Sequence, residues 1–399
     1  MKKLTAQFLA VIMVVSIFTA TPVLANSPNV TAPIAVVMCF DTGDILYDRN
    51  MEQRWIPASM TKIMTAYITY LEIEAGNLTL DTNVRISQNV ATFSQNRRIE
   101  GSFVPFNAGA NVSVETLLRL LMLPSSNGAA VALAEHISGT EEAFVARMNQ
   151  VAEDIGMYAS FNNSHGAFAH HSNAYSIARL IRTFIIEFPD ILRITAMPRV
   201  TFGGTTYNNT NRLLGTHYYR GADGFKTGTI RASGWGHSTT AYRDGRRVIA
   251  VLMNTPNNEA RQSQSRVLLD FGFAELARRE AELVSRVRVF HTGTALPLET
   301  PAVLRGETLM LPLSDILRPL GYRLSWDSES QTAIVRDNNG MASSAVVGSR
   351  SANANGRAIR LAVPAEMVGS RVYVPIDFIE QVTGTTASWD RTTGVVNFR

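Results

Sequence analysis

The distribution of apolar positions divides the chain before any single residue is considered. An apolar run from Phe8 to Phe18 follows Lys2 and Lys3 and precedes Val23-Leu24-Ala25. That order predicts an export leader over residues 1–25, cleaved after Ala25 and too short to act as a membrane span. Next comes the apolar stretch Ala35-Val36-Val37-Met38-Cys39-Phe40, the turn Asp41-Thr42-Gly43-Asp44 and Ile45-Leu46-Tyr47, which together predict a hairpin over 33–48. Ile63, Met64, Tyr67, Ile68 and Leu71 then recur close to the helical period behind Pro57, a residue suited to a first helical turn. The polar residues 80–110, punctuated by Gly101 and Gly109, read as strand-like. Helices are expected over 114–123, 129–137, 141–156 and about 174–188, each ending near Pro124, Gly139, Gly156 or a polar break. From 199 to 255 the pattern turns to strands, with a hairpin at Arg243-Asp244-Gly245. A helix over 259–284 closes the region.

The remainder is a repeat. Leu309-Met310-Leu311-Pro312, Leu317, Leu320-Gly321, Trp326-Asp327 and Val335 are matched, 63 positions on, by Val372-Tyr373-Val374-Pro375, Ile379, Thr383-Gly384, Trp389-Asp390 and Phe398. Each copy predicts strand, short helix, glycine turn, strand, Trp-Asp turn and strand. Two copies, about 309–335 and 372–398, suit one small α+β module better than an open solenoid, which needs more of them. Residues 338–358, rich in Asn, Ser, Gly and Ala, read as an exposed loop, and both tryptophans as core packing rather than sugar-stacking platforms.

With 399 residues and 46% hydrophobic content, the chain can bury a sizeable core in two or three domains. Cys39 is the only cysteine, so no internal disulfide forms, and its apolar neighbours predict a core thiol. Loss of Lys2 and Lys3 with the leader would take the formal charge from +4 to +2, which gives no case for nucleic acid. Lysine usage is more telling. Of the 37 basic residues only Lys2, Lys3, Lys62 and Lys226 are lysines, the rest being arginine. Arginine keeps its proton in proteins, whereas a desolvated lysine can lose it and act as a base.

Both lysines outside the leader fall in reactive patterns. Ser59 stands three residues before Lys62, on one helix face, where a hydroxyl nucleophile and its base can meet. Ser125-Ser126-Asn127 and Lys226-Thr227-Gly228 follow in order. Singly, the latter two read as a helix cap and a turn. Together with Ser59 and Lys62 they resemble the Ser-x-x-Lys, Ser-x-Asn and Lys-Thr-Gly motifs of the low-molecular-weight penicillin-binding proteins that act as serine-type D-alanyl-D-alanine carboxypeptidases. The resemblance covers about residues 30–283 and extends to Phe144–Asn149, Ile155-Gly156-Met157, Asn163–Gly166 and Ala222–Gly228. It implies an α+β fold of the DD-peptidase/β-lactamase type, an antiparallel sheet flanked by helices plus a helical subdomain, over residues 26–284. It also implies roles. Ser59 would attack and carry the acyl group; Lys62 would take its proton, kept neutral with help from Lys226. Ser125 would pass a proton to the leaving group, and Asn127 would hold Lys62 and the substrate amide. Lys226, Thr227, Gly228 and Thr229 would bind substrate along an edge strand. Backbone N–H groups of Ser59 and Thr229 would form the oxyanion hole. Thr229 replaces a histidine frequent in relatives, a change expected to alter pH dependence or substrate preference.

The expected substrate is a peptidoglycan stem peptide ending in D-Ala-D-Ala, with β-lactams as inhibitors, no cofactor, no metal, and action outside the cytoplasm. Two alternatives stand beside this one. A class A-like β-lactamase would need a deacylating Glu-x-x-Leu-Asn segment, which residues 139–224 lack. A catalytically silent wall-binding protein would have no use for intact Ser59, Lys62 and Lys226. His165, His170 and His171 read as loop packing, not ligands. Residues 285–399 resemble the copper amine oxidase N-terminal module. With no histidine or cysteine in 300–399 a copper site is not expected, and wall contact is. The family's membrane-docking amphipathic helix is not expected before Arg399.

Overall fold

A computed structural model of the chain describes residues 27–399. The expected leader at 1–25 lies outside the described residues. The hairpin forms as β1 (Ile34–Cys39) and β2 (Ile45–Arg49), and a 3₁₀ turn over Ala58–Thr61 leads into α1 (Lys62–Glu74). The stretch expected to be strand-like is mostly not. It holds β3 (Asn83–Arg85), the helix α2 (Gln88–Gln95), a loop and β4 (Asn111–Ser113). The Ser87 hydroxyl caps α2 by accepting from the Val90 amide, and only Val90, Ala91 and Ser94 are fully buried, with Phe93 partly so, too few to write a helical period.

Helices α3 (Val114–Met122), α4 (Asn127–Ser138), α5 (Glu141–Asp154) and α6 (Ala174–Glu187) form where expected. Side chains of Ser113, Ser126, Thr140 and Asn173 accept from amides three residues on, satisfying donors that a helix start leaves free. Between α5 and α6 lies the short pair β5 (Ala159–Ser160) and β6 (His171–Ser172). After α6 come α7 (Ile191–Thr195) and the hairpin of β7 (Arg199–Phe202) and β8 (Thr205–Asn208). Three long strands follow, β9 (Ala222–Ile230), β10 (Gly234–Arg243) and β11 (Arg246–Thr255), and then α8 (Asn258–Ser285).

These strands join the first hairpin in a five-stranded antiparallel sheet of order β2-β1-β11-β10-β9. Side chains alternate across it. Ile34, Val36, Met38, Ile249, Val251 and Met253 pack on the helical layer that includes α1, α3, α4 and α6. Ala35, Val37, Cys39, Val248, Ala250 and Leu252 face Leu268 and Leu269 of α8. With helices on both faces, the central strand β11 is buried almost throughout, which explains its unbroken apolar sequence. Cys39 is a buried free thiol, as expected. β9 is left at the sheet edge.

In the C-terminal part, strands Thr308–Pro312 and Arg371–Pro375 pair antiparallel, so the two copies of the repeat meet through their first strands. Leu311, Ile316, Val335, Val374, Ile379 and Phe398 share one core. The expected loop at 338–358 is largely sheet. Strands Ala342–Val346, Ser351–Ala354 and Arg357–Arg360 continue a five-stranded antiparallel sheet, with Ser343, Ala345 and Ala354 turned inward. The packing expected of Trp326 is also corrected, since its side chain is 40% exposed; Trp389 is half-buried. No helix among the described residues is long and apolar enough to cross a membrane.

Candidate active site

Ser59 lies in the 3₁₀ turn ahead of α1, behind Ala58, whose φ of +49° bends the chain sharply. A loop braces this turn. Asn163 Oδ1 accepts from the amides of His165 and Gly166, and a Cβ at Gly166 would fall 2.0 Å from the Ala58 carbonyl oxygen. Only glycine fits there. His170 Nε2 lies 2.6 Å from Thr61 Oγ1, and His165 Nδ1 accepts from the Ala167 amide. Both rings are buried and held below the usual histidine range mainly by desolvation. Their contacts are those of loop packing. Among the described residues no cluster of three His, Cys, Asp or Glu could hold a metal.

The Lys62 side chain is wholly buried. Its Nζ lies 3.0 Å from Ser59 Oγ, 2.8 Å from Asn127 Oδ1 and 2.6 Å from the His165 carbonyl oxygen. Desolvation, and secondly the charge of Lys226, push its pKa well below the ordinary 10.5. Both reasons expected from sequence, desolvation and a neighbouring cation, are present, and burial is the larger. Lys226, also buried, is lowered to about 7 by desolvation and by Arg261. Asn127 opens α4 and is pinned by donating Nδ2 to the Glu100 carbonyl, with Gly101 leaving it room. Ser125, in the link between α3 and α4, has φ +70° and a buried hydroxyl with no hydrogen-bond partner. A buried orphan donor at such a place is free for a reacting group.

Along β9 the side chains divide. Lys226 and Gly228 belong to one face, Thr227 and Thr229 to the other. A Cβ at Gly228 would stand 2.5 Å from the Pro57 carbonyl oxygen and 3.2 Å from the Met60 amide nitrogen, so the edge strand runs tight against the turn that carries Ser59. Gly228→Ala must push strand and turn apart. It is expected to slow penicillin acylation about 100-fold, the cost of misplacing reacting groups by ~1 Å, as read by stopped-flow labelling. On the opposite face Thr227 donates to Thr210 Oγ1 at 2.7 Å, and Arg261 donates to Thr229 Oγ1 at 3.0 Å. Arg261 itself is buried against the Trp235 ring.

Three of the eight expected site residues, Ser59, Lys62 and Asn127, are thus joined by direct bonds. Lys226 acts on them through its charge and Gly228 through close approach, while Ser125 has no bond to them. Thr227 and Thr229 face another group of side chains. Sequence reading missed Glu100, Thr210, the His165 carbonyl and Arg261. Glu100 and Thr210 carried no signal, His165 stood in the Asn163–Gly166 stretch without its carbonyl being singled out, and Arg261 looks like any helical arginine.

An antiparallel sheet between helical layers, with a Ser-x-x-Lys turn wedged against its edge strand, defines the DD-peptidase/β-lactamase fold class. More narrowly, the chain belongs to the D-alanyl-D-alanine carboxypeptidase family, whose profile matches residues 21–257. Residues 290–398 match the copper amine oxidase N-terminal domain. The chain is similar to D-alanyl-D-alanine carboxypeptidase DacF of Bacillus subtilis, 32% identical over 252 residues, 61% of this chain and 62% of the relative. It is also similar to DacD of Escherichia coli, 34% identical over 282 residues and 70% of each chain. Among solved structures it resembles penicillin-binding protein 5 of Haemophilus influenzae, with TM-score 0.59, 31% identity, and 62% and 72% of the two chains covered. Penicillin-binding protein D2 of Listeria monocytogenes, in its cefotaxime-bound form, matches with TM-score 0.55 and 27% identity, covering 61% and 98%. The chain spans less than two thirds of the length of the B. subtilis relative.

Proposed function

We propose that this chain is an exported serine D-Ala-D-Ala carboxypeptidase that removes the last D-alanine of peptidoglycan stem peptides through an acyl-enzyme on Ser59. One observation carries the reading. A neutral amine has two N–H donors and one lone pair; the Asn127 and His165 oxygens occupy the two donors of Lys62, leaving the lone pair for the Ser59 hydroxyl 3.0 Å away. As Ser59 attacks the carbonyl between the two D-alanines, Lys62 takes its proton, and the same oxygens then stabilise the ammonium. The tetrahedral oxyanion is held by the backbone N–H groups of Ser59 and Thr229. The unpartnered Ser125 hydroxyl relays the proton to the departing amine. Lys62, neutral again, activates the water that hydrolyses the ester. The substrate lies along the free edge of β9, its terminal carboxylate at Thr227, Thr229 and Lys226.

β-Lactams enter the same path and stay as acyl-enzymes, in keeping with the cefotaxime-bound relative. A class A-like β-lactamase is disfavoured by the missing Glu-x-x-Leu-Asn segment in 139–224. Residues 285–399 are assigned wall contact. The test is to label the protein with a fluorescent penicillin, map the adduct and time its release, while assaying free D-alanine from a peptide ending in D-Ala-D-Ala. An adduct off Ser59 sinks the reading, and release many times per second makes the protein a β-lactamase.

The lysines also set pH behaviour. Acylation should fall on acidification as Lys62 gains a proton, and on the alkaline side as Lys226 loses its charge from about 7. In the unfolded chain both return to about 10.5, so between about 7 and 10.5 the unfolded state binds more protons and their contribution to stability rises with pH. A pH series of acylation rates and of melting temperatures checks both signs.

A further inference from the structure

The two copies of the C-terminal repeat part company at a tryptophan. In the second copy the Trp389 ring is half-buried and carries the Arg391 guanidinium 5.0 Å from its centroid, and Arg391 is held there by Glu307. In the first copy Ser328 stands where Arg391 does, and Trp326 is 40% exposed with no cation over its ring among the described residues. The turn itself is intact in both: Asp327 accepts from Ser330 as Asp390 does from Thr393. The bare ring is therefore not the by-product of a broken repeat. It opens onto a cleft of about 440 Å³, within the ~300–1,000 Å³ that small-molecule pockets occupy. One wall is strand Arg323–Asp327, the edge of its sheet, and Leu313, Pro319, Leu324 and Val372 make the lining partly apolar. Its charges balance, two of each sign. Arg371 donates to Asp315 and, at 2.6 Å, to Glu299, while Arg318 is exposed and in no ion pair among the described residues. The exposed Ser325 and Ser370 hydroxyls likewise have no partner among the described residues. Such a lining has no excess charge with which to hold an ion. An open indole face beside free hydroxyls and one guanidinium suits a neutral ring with an apolar face and polar edges, which is what a pyranose presents.

We propose that this cleft binds the glycan strand of the cell wall, an N-acetylated sugar stacking on Trp326 while its hydroxyls and acetamide exchange hydrogen bonds with Ser325, Ser370 and Arg318. The inference rests on the reading of residues 285–399 as the part that contacts the wall, and it adds the ligand. Stacking removes the indole face and the sugar C–H face from water together, and the polar rim replaces the hydrogen bonds that the sugar edge gives up. Holding the glycan also raises the local concentration of stem peptides around the catalytic part, so the cleft favours polymeric over soluble substrate without touching the chemistry.

The full chain is titrated calorimetrically with soluble wall glycan freed of its stem peptides. It is also sedimented with intact wall after treatment with penicillin, so that the catalytic site does not hold it there. Trp326→Ala and Ser328→Arg are run alongside. Both positions are exposed, and an unchanged melting temperature and unchanged release of D-alanine from a soluble pentapeptide check that the variants fold. The expected result is that the parent binds the stem-free glycan and that each variant weakens binding about tenfold or more. Ser328→Arg acts by covering the ring as Arg391 covers Trp389. Glycan that fails to bind, while treated protein still sediments with wall, overturns the proposal and leaves wall contact standing. Variants that bind as the parent does, or binding that needs the stem peptides, have the same meaning. If neither glycan nor wall retains the protein, both readings fall.

Discussion

Ser59→Ala is expected to abolish the penicillin adduct and to lower D-alanine release by about 10⁴–10⁶-fold, the range seen when a covalent nucleophile is removed. The size of the effect reflects the lack of any substitute. The hydroxyl sits at the bend after Ala58, 3.0 Å from Lys62 Nζ, and against the edge strand at Gly228. Ser125, whose buried hydroxyl has no hydrogen-bond partner, has no bond to Lys62 and cannot inherit its lone pair. Structurally the change is mild, removing one hydrogen bond worth about 1 kcal/mol, so the melting temperature should move by only a few degrees. Mass analysis of the penicillin-treated variant decides the matter. An adduct on Ser125, or release within tenfold of the parent, assigns the chemistry elsewhere.

Lys62→Arg keeps the positive charge and is nevertheless expected to cost about 10²–10⁴-fold in acylation, the usual worth of a positioned general base. Arginine stays protonated at any pH the protein survives. It also has no lone pair to offer after meeting the Asn127 and His165 oxygens. The variant therefore separates two roles that lysine combines. If Lys62 served only to supply charge, arginine would retain most of the rate. Loss of the acid limb in whatever rate remains distinguishes a missing base from a distorted pocket, which would lower the whole profile without changing its shape.

Much of the site was legible because its chemistry demands rare residue types. Lysine is scarce in this chain, so its two positions outside the expected leader pointed at the proposed nucleophile and the edge strand. The helices of the first region were legible through period and caps. The failures have a common cause, which is burial by small or polar side chains. In α2 the fully buried residues are Val90, Ala91 and Ser94, and in strand Ala342–Val346 they are Ser343 and Ala345. Neither set contrasts with its surroundings, so the alternation that marks a strand and the spacing that marks a helix are both faint. Trp326 misled in the opposite direction, its size suggesting a core where the fold leaves it open. Arg261 lies beyond what local pattern can reveal, since its contact with Thr229 is made by two segments 32 residues apart.

The seclusion of the lysines has a practical consequence for anyone handling this protein. Among the described residues the folded surface offers no ε-amine, because Lys62 and Lys226 are both interior and every other basic side chain is arginine or histidine. On a chain that has lost residues 1–25, and with them Lys2 and Lys3, acylating dyes, aldehyde fixatives and bead couplings aimed at lysine will find little beyond the chain terminus. Whatever slow modification they do achieve elsewhere becomes a gauge of how often the catalytic pocket breathes open.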